Sequence, residues 1–204
     1  KDYTDIGLLH LLCSTPDMPT LFVRRDDMYL LDRFLADHRD DLWMEIPWDA
    51  DEEFDRSLKT ALLLADWVNE IGEDEICRRY NVGPGDVYGM VESVAWLVHA
   101  SRHHAGLFAP HLVRPLEEME LRTKHGIKKE LLPLIRLRGI GRVRARRLFD
   151  NGIDSIEALR AAGQEKVSRI LGQGIAAQVF EQLDGVREEI QEISEEQSTL
   201  SRFG

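Results

Sequence analysis

The 204 residues carry 26 Lys and Arg against 37 Asp and Glu, a formal charge of −11, with 43% hydrophobic and 31% charged side chains. That balance is one of a folded globular chain and excludes a disordered polyelectrolyte, while apolar stretches such as Ala61–Ala65 fall far short of the roughly 18 residues of a membrane span. Cys13 and Cys77 stand far apart and in no C-x-x-C pattern, which excludes a disulfide framework and makes a reducing cytoplasmic setting the expectation.

The first residue is Lys1, with no signal-peptide pattern, so a fragment of a longer protein is expected. Helical periodicity dominates and no run alternates like a strand, which predicts an all-α fold. Thr4 caps a helix to about Ser14, and Pro16 and Pro19 interrupt the chain. A second helix is expected near Asp26–Arg39, and Pro47 breaks the chain again. Asp49 or Asp51 opens a long helix to about Ile71, with Gly72 as its stop, and a short helix follows over Glu73–Tyr80.

The next helix, about Pro84–Gly106, has a readable wheel. At 100° per residue Val87, Val91, Val94 and Val98 form one narrow seam, and Trp96 falls on the opposite side, near Gly89, Ala100 and His103. An indole there is either a second buried contact, the usual case, or a stacking platform. A further helix spans about Pro110–His125 and ends at Gly126. Short glycine-separated helices follow: Lys129–Leu137, Val143–Asp150, Ser155–Ala161, Glu165–Ile170 and Ala176–Glu196. The expected domains are a helical bundle over 1–127, a small helix-hairpin-helix domain over 128–196 and a tail over 197–204.

Charge is distributed unevenly. Residues 1–123 hold 12 basic against 25 acidic side chains, whereas residues 124–147 hold nine bases against Glu130 alone. A basic island within an acidic chain is a localised polyanion site or a solvated helix face, and nucleic acid is the better reading. Inside the island, Leu137-Arg138-Gly139-Ile140-Gly141 reads as a tight loop between helices, repeated at Leu171-Gly172-Gln173-Gly174-Ile175. Gly139 and Gly141 let backbone approach a phosphate, and the following helix N-terminus presents N–H groups to it. Arg142, Arg144, Arg146 and Arg147 follow directly; Arg144 and Arg146 are the expected contacts, with Arg142 and Arg147 in support. The second copy has Gln178 where the first has Ala145, so it fits a DNA-binding hairpin less well. His99 and His103 stand one turn apart and could share a metal, but no carboxylate or cysteine completes a set in the sequence. They are therefore read as solvated, and no metal site is expected.

The doubled hairpin resembles the sequence-independent DNA-binding helix-hairpin-helix unit. Thr4-Asp5-Ile6-Gly7-Leu8-Leu9-His10, Ser14-Thr15-Pro16-Asp17-Met18, Lys59-Thr60-Ala61-Leu62 with Asp66-Trp67, Gly83-Pro84-Gly85-Asp86-Val87-Tyr88 leading to Ala95-Trp96-Leu97, and Gly141 through Leu148 add a wider likeness. In that order they resemble the C-terminal part of the archaeal Ski2-like DNA helicases of superfamily two. The resemblance implies a Sec63-like helical ratchet domain and a helix-loop-helix domain. It also implies that Trp96 stacks on a base of the translocating single strand, and that the arginine-rich stretch grips emerging DNA. That family commonly pairs the tryptophan with an arginine two turns earlier, where this chain has Gly89. It further implies forked or single-stranded DNA and the N-terminal motor domains of the same protein as partners. ATP and Mg are expected in those motor domains only, since no G-x-x-x-x-G-K-[ST] loop occurs here. A Sec63-like scaffold for RNA or protein partners is the alternative. Gln197, Leu200 and Phe203 of the tail resemble a sliding-clamp docking peptide, with Gly204 where a second aromatic is usual; a frayed terminus is the equal alternative.

Overall fold

A computed structural model describes residues 2–49 and 51–184. All regular structure among them is helical, and the chain divides after Lys129 into two compact units. The first holds α1 (Asp5–Cys13), α2 (Asp27–His38), α3 (Glu52–Val68), α4 (Glu73–Tyr80), α5 (Pro84–Phe108) and α6 (Val113–His125). The second holds α7 (Leu132–Ile135), α8 (Arg142–Asp150), α9 (Ile156–Leu171) and a final helix, α10, described over residues 173–184. Gln197, Leu200 and Phe203 lie outside the described residues.

Local chemistry sets the boundaries of the first unit. The Thr4 hydroxyl accepts the Gly7 N–H at 3.1 Å and donates to the Asp41 carbonyl, capping α1 and tying it to the segment after α2. Gly7 is required there: a Cβ would stand 2.6 Å from the Asp41 carbonyl and from the Trp43 ring. Asp51 caps α3 through the N–H groups of Glu53 and Phe54. Gly83 precedes Pro84 at the first turn of α5, and the Asp86 carboxylate accepts the Gly83 N–H at 2.9 Å.

α3 stops three residues before the expected Ile71. Glu70, not a glycine, takes the left-handed conformation at φ 65°, while the Ile71 N–H returns to the Asp66 carbonyl at 3.0 Å. This is the Schellman closure, and the half-buried Ile71 side chain packed against the core holds it. Gly72 instead precedes α4 as its N-cap.

α1 lies along α3, and α5 along α6, around one core. Leu9, Leu58, Leu63, Leu64 and Val68 are fully buried, as are Val87, Val94 and Val98 of the α5 seam, with Val91 nearly so. Most polar groups inside are paired, the buried His10 Nδ1 and Arg56 Nε being exceptions. Lys59 donates to the Asp27 carboxylate at 2.6 Å and the Phe22 carbonyl at 2.9 Å. Thr60 accepts the Leu21 N–H, and the Trp67 indole donates to the Thr123 carbonyl. Arg122 joins α6 to Asp5 of α1 at 2.6 Å. Several of the sequence's most distinctive short runs are therefore scaffold: they satisfy buried donors and acceptors that burial would otherwise penalise.

The second unit is smaller, with Ile140, Ala145, Leu148, Ile153, Leu159, Val167, Ala176 and Val179 buried at its centre. The two expected helices over 155–170 form one element with a break at Gly163, at φ 74°. The two glycine hairpins differ. Residues 136–141 form an open loop between α7 and α8, whereas only Gly172 separates α9 from α10. Gly174, expected in the second loop, already lies in the helix.

Candidate nucleic-acid interface

α5 owes its orientation to the valine seam, and the seam fixes where Trp96 must be. With that seam buried, the opposite side of the helix is turned out, and Trp96 is 62% exposed. The buried alternative for this residue is thereby set aside. The indole borders an apolar cleft of about 450 Å³ between α1 and α5, lined also by Leu11, Leu12, Trp43, Ala100 and Phe108. Leu11 and Phe108 are exposed as well. Tyr3 at the cleft's edge stays neutral, because burial, and then Asp5, pushes its phenol further above the ordinary value. A flat aromatic beside a mainly apolar groove, with Asp17 and His104 also on its lining, suits the face of a planar ring and discriminates little among rings.

Gly89, two turns before Trp96, is exposed, and a Cβ placed on it would meet nothing within 4 Å. No cation stands at that place on the helix, though the space for one is open.

In the second unit the first hairpin loop is held from behind. Gln182 of α10 accepts the Arg138 N–H at 2.8 Å and donates to the Arg138 carbonyl at 3.1 Å. Gly139 adopts φ 84°, and a Cβ there would lie 3.0 Å from the Gln178 side-chain oxygen. Gln178, noted in the sequence only as a departure from the hairpin pattern, and Gln182, not singled out there, are thus the residues of the second hairpin that shape the first. Their bracing role had no signal beyond a one-turn spacing. Gly141 begins α8 in extended backbone with no side-chain cap, and open space surrounds it.

The four arginines do not act alike. At 100° per residue Arg144 and Arg147 fall within about 60° of one another on α8, and Arg142 and Arg146 within about 40° on another side. Arg144 is exposed and donates back to the Gly139 carbonyl at 2.6 Å. Arg147 is exposed, and Arg142 partly so. Arg146 pairs with Glu130 at 2.9 Å and Asp150 at 3.6 Å and lies over the Phe149 ring at 5.0 Å. No described helix is long and apolar enough to cross a membrane.

The first unit is thus a helical bundle with an exposed aromatic on one helix face, and the second a set of paired helical hairpins with an arginine-bearing loop. Residues 6–126 match the family described as archaeal helicase, domain 4, and residues 131–184 the family described as SAM-like helix-hairpin-helix tandem. The chain belongs to the archaeal helicase domain 4 family, in keeping with the Ski2-like resemblance of its sequence. It is 37% identical to the ATP-dependent DNA helicase Hel308 of Methanocella arvoryzae, over 98% of this chain and 28% of that protein. The same-named protein of Pyrococcus horikoshii is 36% identical over 89% of this chain and 25% of its own length. That of Thermococcus kodakarensis is 37% identical over 83% and 16%. The chain therefore spans roughly a quarter or less of the curated relatives it matches.

Proposed function

We propose that this chain is the C-terminal accessory region of an ATP-dependent 3′→5′ DNA helicase, holding and guiding single-stranded DNA at forks in repair or replication restart. The observation that carries the reading is Trp96, exposed on the face of α5 opposite a buried valine seam and beside an apolar cleft. Stacking on such a surface contributes about 1–3 kcal/mol per base and tolerates any sequence, as a translocating motor requires. Arg144 and Arg147, with the loop backbone at Gly139 and Gly141, would take phosphates of the same substrate; Arg142 and Arg146 would support them. Motor domains of the same protein would supply ATP hydrolysis with Mg, for which this chain has no phosphate loop. The relatives are named DNA helicases, which disfavours an RNA-processing or protein-only scaffold.

The test is titration of single-stranded DNA at several salt concentrations. The slope of log affinity against log salt is expected to be negative, at about −0.7 per phosphate neutralised. Changing Arg144 and Arg147 together to Ala should flatten it by about one to two such increments. An unchanged slope removes α8 from the site. Matched RNA is expected to bind no tighter than DNA, and a clear RNA preference would favour the scaffold reading. Gln197, Leu200 and Phe203 would add a sliding-clamp contact, which deletion of residues 197–204 should abolish in a clamp pull-down.

A further inference from the structure

α5 also carries two histidines at a spacing at which imidazoles can share an ion. His99 and His103 are one helical turn apart, both exposed, with ring centroids 4.6 Å from each other. The His103 Nδ1 lies 2.9 Å from the His99 backbone carbonyl. A carbonyl can only accept, so Nδ1 carries the proton, and in the neutral ring the lone pair is on Nε2. The His99 Nδ1 lies 2.9 Å from Glu120 Oε1. A carboxylate imposes the same tautomer, again leaving Nε2 as the free donor atom. Glu120 comes from α6, and its other oxygen is taken by Arg102 at 3.2 Å. It therefore orients the His99 ring instead of competing as a ligand, the carboxylate–histidine arrangement that commonly backs metal-bound imidazoles.

We infer that His99 and His103 form a two-imidazole site for a borderline divalent transition ion such as Ni²⁺ or Zn²⁺, with Glu120 as its positioning residue. Among the described residues no group of three or more His, Cys, Asp or Glu is placed to hold a metal. The site is consequently open, with solvent completing the coordination sphere, and imidazole nitrogens favour these ions over Mg²⁺ or Ca²⁺. It sits on the same side of α5 as Trp96, His103 being seven residues further along.

The inference is independent of DNA binding and is tested without DNA. The untagged full chain is titrated with Ni²⁺ alone and Zn²⁺ alone by calorimetry, with circular dichroism to verify folding of each variant. One equivalent is expected to bind. His99→Ala and His103→Ala should each lower the affinity at least tenfold, Glu120→Gln several-fold, and His38→Ala not at all. Because both histidines are exposed, the alanine variants should melt like the native chain. Affinity in the double variant His99→Ala/His103→Ala equal to that of the native chain would overturn the proposal, as would equal binding of Mg²⁺.

Discussion

Gly89→Arg is a substitution for which the structure gives both a stability sign and a binding sign. Gly89 lies inside the 25-residue helix α5, exposed, and no heavy atom stands within 4 Å of a Cβ built there. An arginine in an exposed helix interior is favoured over glycine by about 0.6–1 kcal/mol, because the glycine loses more backbone freedom on folding. For a unit of this size that should raise Tm by about 2–5 °C. The new guanidinium would stand two turns before Trp96, seven residues and about 10 Å along the axis. A cation stacked on a base at an exposed site contributes about 0.5–1 kcal/mol, or roughly two- to fivefold in affinity for single-stranded DNA. The salt slope should steepen by about 0.7 if the arginine meets a phosphate. Thermal melting followed by circular dichroism gives the first number and fluorescence anisotropy at three salt concentrations the others. A Tm that falls would refute the open-space argument. A higher Tm with unchanged affinity and slope would take this face of α5 off the path of the strand.

Three further outcomes follow from buried and turn residues. Asp27→Ala strands the Lys59 ammonium, which is only 2% exposed, and should cost about 3–5 kcal/mol in urea unfolding. Lys59→Met should cost clearly less, because Asp27 keeps the Arg24 N–H at 2.7 Å and some solvent; equal costs would contradict the burial argument. His10 is fully buried against Ser57 and Phe54, and burial pushes its imidazole down from 6.5 to about 4. The unfolded chain therefore takes up the proton first. Stability from this group is complete above about pH 6.5 and is lost as the pH falls towards 4, by about 3 kcal/mol. His10→Gln should flatten that part of the pH–stability curve, and an identical curve would argue against it. Gly139→Ala must hold φ 84° against Gln178 and should destabilise the second unit by about 1–2 kcal/mol. Gly141→Ala should cost under about 1 kcal/mol while weakening DNA binding; the reverse order in a melting experiment would mean the loop is held differently.

Sequence periodicity reached furthest where a feature depends on a single helix. The valine seam of α5 follows from residue spacing alone, and it puts Trp96 on the far side without any tertiary information. The helix starts at Thr4 and Pro84 were legible for the same reason, since a cap is closed within three or four residues, and that of α3 was narrowed to Asp49 or Asp51, of which Asp51 is the cap. What escaped depended on partners distant in the chain. Gly72 looked like the end of α3, but Ile71 packing into the core stabilises a left-handed Glu70 before it. The second glycine run read as a looser copy of the first, but that residues of α10 brace the first loop and that the second shrinks to one residue was not legible. Lys59 and Arg122 are buried and paired across helices, which no local spacing announces. No carboxylate near His99 was visible because Glu120 arrives from α6, 21 residues later. The pairing of Arg146 with Glu130, 16 residues before it, was likewise invisible in the sequence.

Direct comparison of the native chain and Trp96→Ala on one oligonucleotide carries the most weight. Removing an indole that is 62% exposed should leave the melting curve nearly in place while affinity for the strand drops about 5- to 150-fold. Equal affinity in the two proteins, or a melting curve that collapses with the substitution, would contradict the account.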